Sequence, residues 1–321
     1  MLAKILDYLP PPKFLNIPFA GLSISDGALR CIQFGKKGGE IYIEKYAEKI
    51  IPAGIVNSGQ INNIEELKKI LQTLKKDLHL DYVRVSLPEE KAYLFTTTIP
   101  AVKQNEIRGV IESKIEDNVP LPGAELIFDY ELIDNHKREN LDVVVSAAPV
   151  GVVSTYVGLM ESAGLVPLSL EIESQAVARA LLKKDSAGTV MIVHFGQEKV
   201  GLYVASGGVV HFTSTSALKG ESINNPEYLS QEIKKLGEYW HELKENLAKP
   251  EKKISQIIIC GENFADKLIT YIGTHNKTPT TLGNVWANAF DVGNVAPIIS
   301  FSDSLRYVSA IGLALPSLIL I

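Results

Sequence analysis

The sequence predicts an α/β protein of two similar lobes, with an α+β unit inserted in the first. Three observations predict it. A strand–turn–strand opening occurs at residues 20–34 and again at 189–205, about 170 residues on. Each opening is followed by a third strand, an amphipathic helix and a fourth strand. Between residues 97 and 164 a helix, two strands and a second helix interrupt the first half and have no counterpart in the second. The interval is too long for a solenoid repeat. Two lobes facing each other across a cleft between their hairpins is the arrangement it implies.

Element by element, the first hairpin turns at Asp26-Gly27, a dipeptide suited to a tight turn between apolar runs. A third strand spans 41–51. Ile64, Leu67, Ile70, Leu71, Leu74 and Leu78 recur at three and four, which predicts a helix with Lys68, Lys69, Lys75 and Lys76 on its wet face. Residues 82–87 alternate as a strand and stop at Pro88. The insert carries a helix through Ile107, Val110, Ile111 and Ile115, a turn at Pro120-Leu121-Pro122-Gly123, strands at 126–133 and 141–148, and a helix from Val152 to Met160 capped by Gly164. A strand at 168–172 and a helix at 174–184 return to the first lobe. The second lobe repeats the theme with strands at 189–195, 200–205 and 209–215. A helix from Pro226 follows, its apolar stripe running to Leu247 with Pro250 as its stop, then a strand at 254–260, a helix from Asn263, a short strand near Thr280 and a helix from Asp303 to Leu315. The expected boundaries are 1–96 and 165–187 for the first lobe, 97–164 for the insert, 188–302 for the second lobe and 303–321 for a C-terminal helix and tail.

The bulk numbers narrow the function. A chain of 321 residues is long enough for two domains, and 46% hydrophobic content supplies their cores. A net charge of −5 with no basic half argues against nucleic-acid binding. Cys31 and Cys260 lie far apart in or beside apolar strand runs and read as buried thiols; no CxxC or Cys/His spacing offers a metal site. No apolar run approaches the ~20 residues that span a bilayer. Residues 1–9 are amphipathic but include Asp7 and run into three prolines, which predicts a short helix, folded on its own domain or serving to dock, and not a signal peptide. The apolar tail 318–321 should pack behind the last helix.

Several quoted segments resemble one family. Gly21-Leu22-Ser23-Ile24-Ser25 with Leu29-Arg30 is similar to a first loop Gly-Ile-Asp-Ile-Gly followed by Val-Lys. The insert helix Glu112–Val119 running into Pro120-Leu121, the strand Phe128-Asp129-Tyr130, the closing Tyr156, Ala163-Gly164-Leu165 and Pro167, the return helix Ile172-Glu173-Ser174-Gln175-Ala176, and Glu232-Ile233-Lys234 with Tyr239 follow in the family's order. Together they resemble PilM, the actin-like cytoplasmic family of type IV pilus assembly, related to FtsA. The resemblance implies a two-lobed actin-like (ribonuclease H-like) fold. It also implies a PilN-like inner-membrane partner whose cytoplasmic tail binds beside the insert, with Leu121, Phe128 and Tyr130 as contact candidates. By the same resemblance the protein is cytoplasmic and meets the inner membrane only through that partner, with assembly as a homo-oligomer or ring left open.

The departures from the family bear on chemistry. In this fold, glycine-rich turns present backbone N–H groups to phosphate, and carboxylates hold Mg²⁺ and orient the attacking water. Here Ser23 replaces the first-loop Asp, Ser25 its Gly, and His194 the second-loop Asp, while Gly196 and Gln197 follow; Gly261-Glu262 stands for the Gly-Gly of the adenosine loop. A hydroxyl and an imidazole are poor Mg²⁺ ligands, and losing one preorganised polar group typically costs about a hundred- to a thousand-fold in turnover. Asp26, three positions from the missing Asp, with Gly27 reads as a hairpin turn. Glu262 disfavours ATP. The expectation is therefore a scaffold that is not an enzyme, with no resident metal or cofactor and at most weak ATP/Mg binding. The alternatives are an ATP-binding or slow ATPase of pilus assembly, or an FtsA-like filament former. His241-Glu242 lacks the second His of a zinc helix, Gly21-Leu22-Ser23-Ile24-Ser25 lacks the closing Gly of a nucleophile elbow, and no Walker A or GxGxxG pattern occurs.

Overall fold

The computed structural model describes residues 17–37, 40–133, 140–183, 188–218, 225–243, 246–247, 252–264, 266–290 and 297–315. The segments 1–9 and 318–321 and the helix stop Pro250 lie outside them.

Apolar alternation and turn chemistry build two five-stranded sheets. In the first, β1 (Ala20–Ile24), β2 (Ala28–Lys37) and β3 (Glu40–Ile50) form an antiparallel meander; β6 (Tyr82–Leu87) and β10 (Val166–Ile172) add in parallel on the other side of β1. The order is β10-β6-β1-β2-β3. In the second, β11 (Thr189–Phe195), β12 (Lys199–Ser206) and β13 (Val209–Ala217) form the meander, and β14 (Ile254–Gly261) and β15 (Thr280–Leu282) the parallel side, in the order β15-β14-β11-β12-β13. Position for position the orders are the same, as the duplicated opening predicts. The helices repeat too. After each meander comes α1 (Ile64–Leu78) or α5 (Pro226–Glu242); in each parallel crossover, α3 (Val150–Ser162) or α6 (Asp266–Asn276); after the last strand, α4 (Glu173–Leu181) or α7 (Val308–Ala314). A two-stranded ribbon, β4 (Val56–Asn57) with β5 (Gln60–Ile61), precedes α1.

Two of the helices start at a side-chain cap. Asn63 caps α1 by accepting from the Glu66 N–H at 3.1 Å, and His79 ends it in the left-handed region at φ 50°. Asn225 accepts from the N–H groups of Glu227 and Tyr228, with Pro226 at the first helical position. That helix stops at Glu242, short of the stripe to Leu247. Asn246 turns back to donate to Trp240 O at 2.9 Å, and Leu247 is exposed. The predicted 303–315 helix is three segments: a turn Phe301–Ser304, a 3₁₀ turn Leu305–Tyr307, then α7.

The layers follow from which face each helix buries. One face of the first sheet packs on α1 and α3 through Leu67, Leu71, Leu74, Tyr156 and Met160. One face of the second packs on α5 and α6 through Leu229, Ile233, Trp240 and Ile272. Between the sheets lie α4 and α7, with Val177, Ala180, Val308 and Ile311 in one cluster with Ile32 and Ile192. Two glycines permit this middle layer. A Cβ on Gly21 would stand 2.0 Å from Ala310 O, and one on Gly312 would stand 1.7 Å from Ala176 O.

The inserted unit corrects the expected limits of 97–164. It begins with an unpredicted strand, β7 (Tyr93–Pro100), and is a three-stranded antiparallel sheet with β9 (Asn140–Pro149) central and β8 (Leu126–Leu132) outer. It is backed by α2 (Gln104–Asn118) through Ile107, Ile111 and Ile115. The helix α3, read as part of the insert, buries Tyr156, Leu159 and Met160 in the first-lobe core instead. The insert also touches the second lobe: the Thr96 hydroxyl donates to His211 O on β13 at 3.3 Å.

Candidate functional site

The equivalent hairpins of the two lobes bring their turns together. Ser23, Ser25, His194, Gly196, Gly261 and Glu262 line one enclosed cavity between the lobes, of about 20 Å³. That is room for about one water, against the ~300–1,000 Å³ of usual small-molecule pockets. The Ser25 hydroxyl closes its own turn, donating to Ala28 O and accepting from the Ala28 N–H, both at 3.1 Å. Gly196 N–H donates to Lys199 O across the second turn at 2.9 Å. Gly261 takes φ +101° and seats its chain so close to Phe195 that the Glu262 N–H donates to Phe195 O at 2.9 Å. A hollow of about 610 Å³ beside the end of α1 is much larger, but it is open, none of the three turns reaches it, and Lys75 there is already bonded to Leu80 O and Asp81.

Three expected site residues lie outside the cavity lining. Asp26 accepts from the backbone N–H groups of Ser58, at 2.9 Å, and Gly59, at 3.1 Å; both of its oxygens hold the β4–β5 turn. The side chain of Gln197 lies directly on Gly27, so a Cβ there would meet its Oε1 at 1.4 Å.

Arg30, Glu173, Lys199 and Arg306, none of them among the expected site residues, complete the cavity. Arg30 on β2 is buried. Its Nε donates to Glu48 Oε1 at 2.8 Å, and its Nη1 to Glu262 Oε1 at 3.2 Å, with Nη2 on Glu262 Oε2. Arg306 extends the chain to Glu48 at 3.4 Å. On the other wall, Lys199 Nζ lies 3.0 Å from Glu90 Oε1 and 3.6 Å from Glu173 Oε2, and Ser309 donates to Glu173 Oε1 at 3.0 Å. Burial works against both charges. Glu173 and Glu90 nonetheless hold the Lys199 ammonium above its usual range, and Lys199 with the Ser309 hydroxyl holds the Glu173 carboxyl below its own. His194 is buried with Nδ1 3.3 Å from Tyr203 Oη, and burial lowers its pKa, so it is neutral at pH 7. Burial pushes the Cys31 thiol up to about 12 and raises that of Cys260, as inert buried thiols require. A hint of Arg30 was present in the sequence: a cation within the apolar run Leu29–Ile32. Glu173 belongs to the family-like return helix, which by itself gives it no chemical role, and Lys199 carried no mark.

The expected partner contacts divide. Phe128 is a correction: it is 7% exposed, belongs to the insert's own core and carries Arg108 over its ring at 4.3 Å. Period-two alternation turns its neighbour Ile127 outward instead, 47% exposed. Leu121 and Tyr130 pack half-buried against the same core. Among the described residues no His, Cys, Asp and Glu cluster could hold a metal ion, and no helix is long and apolar enough to cross a membrane.

Two lobes of one topology, facing each other across paired hairpin turns with a helical layer between, define an actin-like protein. Within that class the chain belongs to the family described as type IV pilus assembly protein PilM, whose model matches residues 21–235. Among solved structures it is similar to the chain of a "PilM-PilN type IV pilus biogenesis complex", with TM-score 0.76, 18% identity, 93% of this chain and 98% of that one covered. It also matches the ethanolamine utilization protein EutJ from Carboxydothermus hydrogenoformans, with TM-score 0.48, 13% identity and coverage of 95% and 90%. A third match is the cytoplasmic domain of EpsL of the Vibrio cholerae type II secretion system, with TM-score 0.47, 8% identity and coverage of 86% and 100%.

Proposed function

We propose that this PilM-family protein is a non-catalytic cytoplasmic scaffold of a type IV pilus or related assembly machine. It binds the cytoplasmic tail of a PilN-like inner-membrane protein and reaches the membrane through it. Family membership and the complex in which a similar structure was solved support the partner. The observation that carries the non-catalytic half is the occupation of the cleft by the chain's own side chains. The Glu262 carboxylate is bound by Arg30, in a cavity of about 20 Å³. An incoming triphosphate would meet that carboxylate and would find Ser23 and His194 where metal-binding carboxylates are needed.

Calorimetric titration with Mg-ATP tests this, together with phosphate release. The wild type should show no turnover above a protein-free blank and no heat of tight binding. The combined Ser23→Asp, Ser25→Gly, His194→Asp and Glu262→Gly variant should gain Mg-ATP binding if it folds. Clear wild-type turnover abolished by Asp26→Ala would overturn the reading, because Asp26 would then be serving the metal.

A further inference from the structure

Three contacts across the cleft share one property: each joins the first lobe to the second, and none needs a ligand. Arg30 of β2 holds Glu262 after β14, 232 residues away. Lys199 of β12 holds Glu90 in the turn after β6, 109 residues away, and reaches Glu173 at the start of α4. Between these pairs Gln197, at the tip of the second hairpin, packs on Gly27 at the tip of the first. The contacts sit at the turn end of the sheets. The apolar cluster that joins the lobes lies behind them, around α4 and α7. The lobes are therefore pinned at two places of different chemistry, an apolar layer that can act as a pivot and a polar contact at the mouth.

We propose that the polar contact is a clasp. Arg30–Glu262 and Lys199–Glu90 hold the two lobes closed without a ligand, and releasing them lets the lobes part about the α4–α7 layer. Pairing explains why such charges are tolerated there. A buried or half-buried charge is strongly destabilising alone and acceptable when satisfied from the other side. Lys199 and Glu262 of the second lobe thus take their partners, Glu90, Glu173 and Arg30, from the first. Glu48 and Arg306 continue the chain behind Arg30, so the guanidinium stays oriented while Glu262 approaches and leaves. The inference does not depend on the partner assigned above, because it concerns only how the two lobes are held.

Distance measurement between spin labels tests it on the full chain. Asp77→Cys on α1 and Glu238→Cys on α5 place one label on each lobe at exposed side chains, while the native Cys31 and Cys260 are buried and escape labelling. The otherwise wild-type protein should give one narrow distance distribution. Adding Glu262→Gln and Glu90→Gln should lengthen and broaden it, whereas Glu65→Gln, which touches only an exposed pair within the first lobe, should not. The same narrow distribution in the double variant would overturn the clasp. Should that variant fail to fold, Glu90→Gln alone removes one of two Lys199 partners. Amide hydrogen exchange in residues 195–199 should then be several-fold faster than in the wild type, and unchanged exchange there would overturn the proposal equally.

Discussion

Glu89 shows how a single buried carboxyl connects the fold to pH. It accepts from the N–H of Ser174 at 3.0 Å and from its hydroxyl at 3.1 Å, at the start of α4. Burial pushes it up to about 7, against the opposing hydrogen bonds from Thr213 and Ser174. The native state therefore keeps a proton that the unfolded chain releases near 4.5. The linked stabilisation is complete below about 4.5 and is lost as pH rises through about 7. Glu89→Gln should remove this dependence, so urea denaturation from pH 4.5 to 7 should show the wild type losing about 3 kcal/mol more than the variant. A parallel pH profile for both proteins would refute the assignment. At this scale the sequence was half legible. Ser23, His194, Gly196, Gly261 and Glu262 could be named as neighbours because the resemblance to the family's loops marks each position. Arg30 with Glu262, and Lys199 with Glu90, could not, because a pair separated by 232 or 109 residues leaves no periodic trace. Phe128 and Ile127 were confused because alternation tells which residues share a face and not which face is outside.

Among elements, the interior helices give the sharpest contrast. Gly312 lies where α7 crosses α4, and a Cβ there would stand 1.7 Å from a backbone oxygen. Gly158 lies on the exposed side of α3 with nothing within 4 Å of its missing Cβ. Gly312→Ala should cost about 2–3 kcal/mol because the two helices must separate. Gly158→Ala should stabilise by up to about 1 kcal/mol, because alanine is the better helix former. Chemical denaturation of the two variants checks both signs, and equal effects would mean that the crossing is not close-packed. The Asp26-Gly27 turn made the first hairpin plain in the sequence, and apolar spacing made α1 and α5 plain. What escaped were β7, whose Tyr-Leu-Phe-Thr-Thr-Thr lacks alternation, and the allegiance of α3, whose apolar face fits either core by periodicity alone. The stop of α5 was missed because Asn246 turns back onto Trp240 there, a local side-chain contact that an apolar stripe does not encode.

For the whole molecule, the insert determines how partner binding should be tested. Its strand β7 lies beside β13 of the second lobe, so deleting the unit would uncover that strand and confuse recognition with folding. A surface change avoids this. A peptide copied from the partner's cytoplasmic tail should bind with micromolar-order affinity, about −8 kcal/mol. Ile127→Asp, on the outward face of β8, should weaken it at least about tenfold, or about 1.4 kcal/mol, with the circular dichroism unchanged. Calorimetry with the folded variant decides the matter, and full affinity would move the contact off β8. The duplicated plan was visible in the sequence because strand order and turn positions repeat along the chain. The five-layer stacking was not, because it rests on Gly21 and Gly312 admitting helices to within backbone distance.

The insert occupies the crossover between β6 and α3, and the matching crossover of the other lobe, from β14 to α6, is bare. In evolutionary terms the unit is a graft. It enters and leaves at neighbouring ends of a connection that the sister lobe completes without it, so the strand order of neither sheet runs through it. The outer surface of the unit can therefore change while the two lobes keep a folding problem already solved. Substitution should run fast on the outer strand of the graft and slow at the two helices on which the lobes rest.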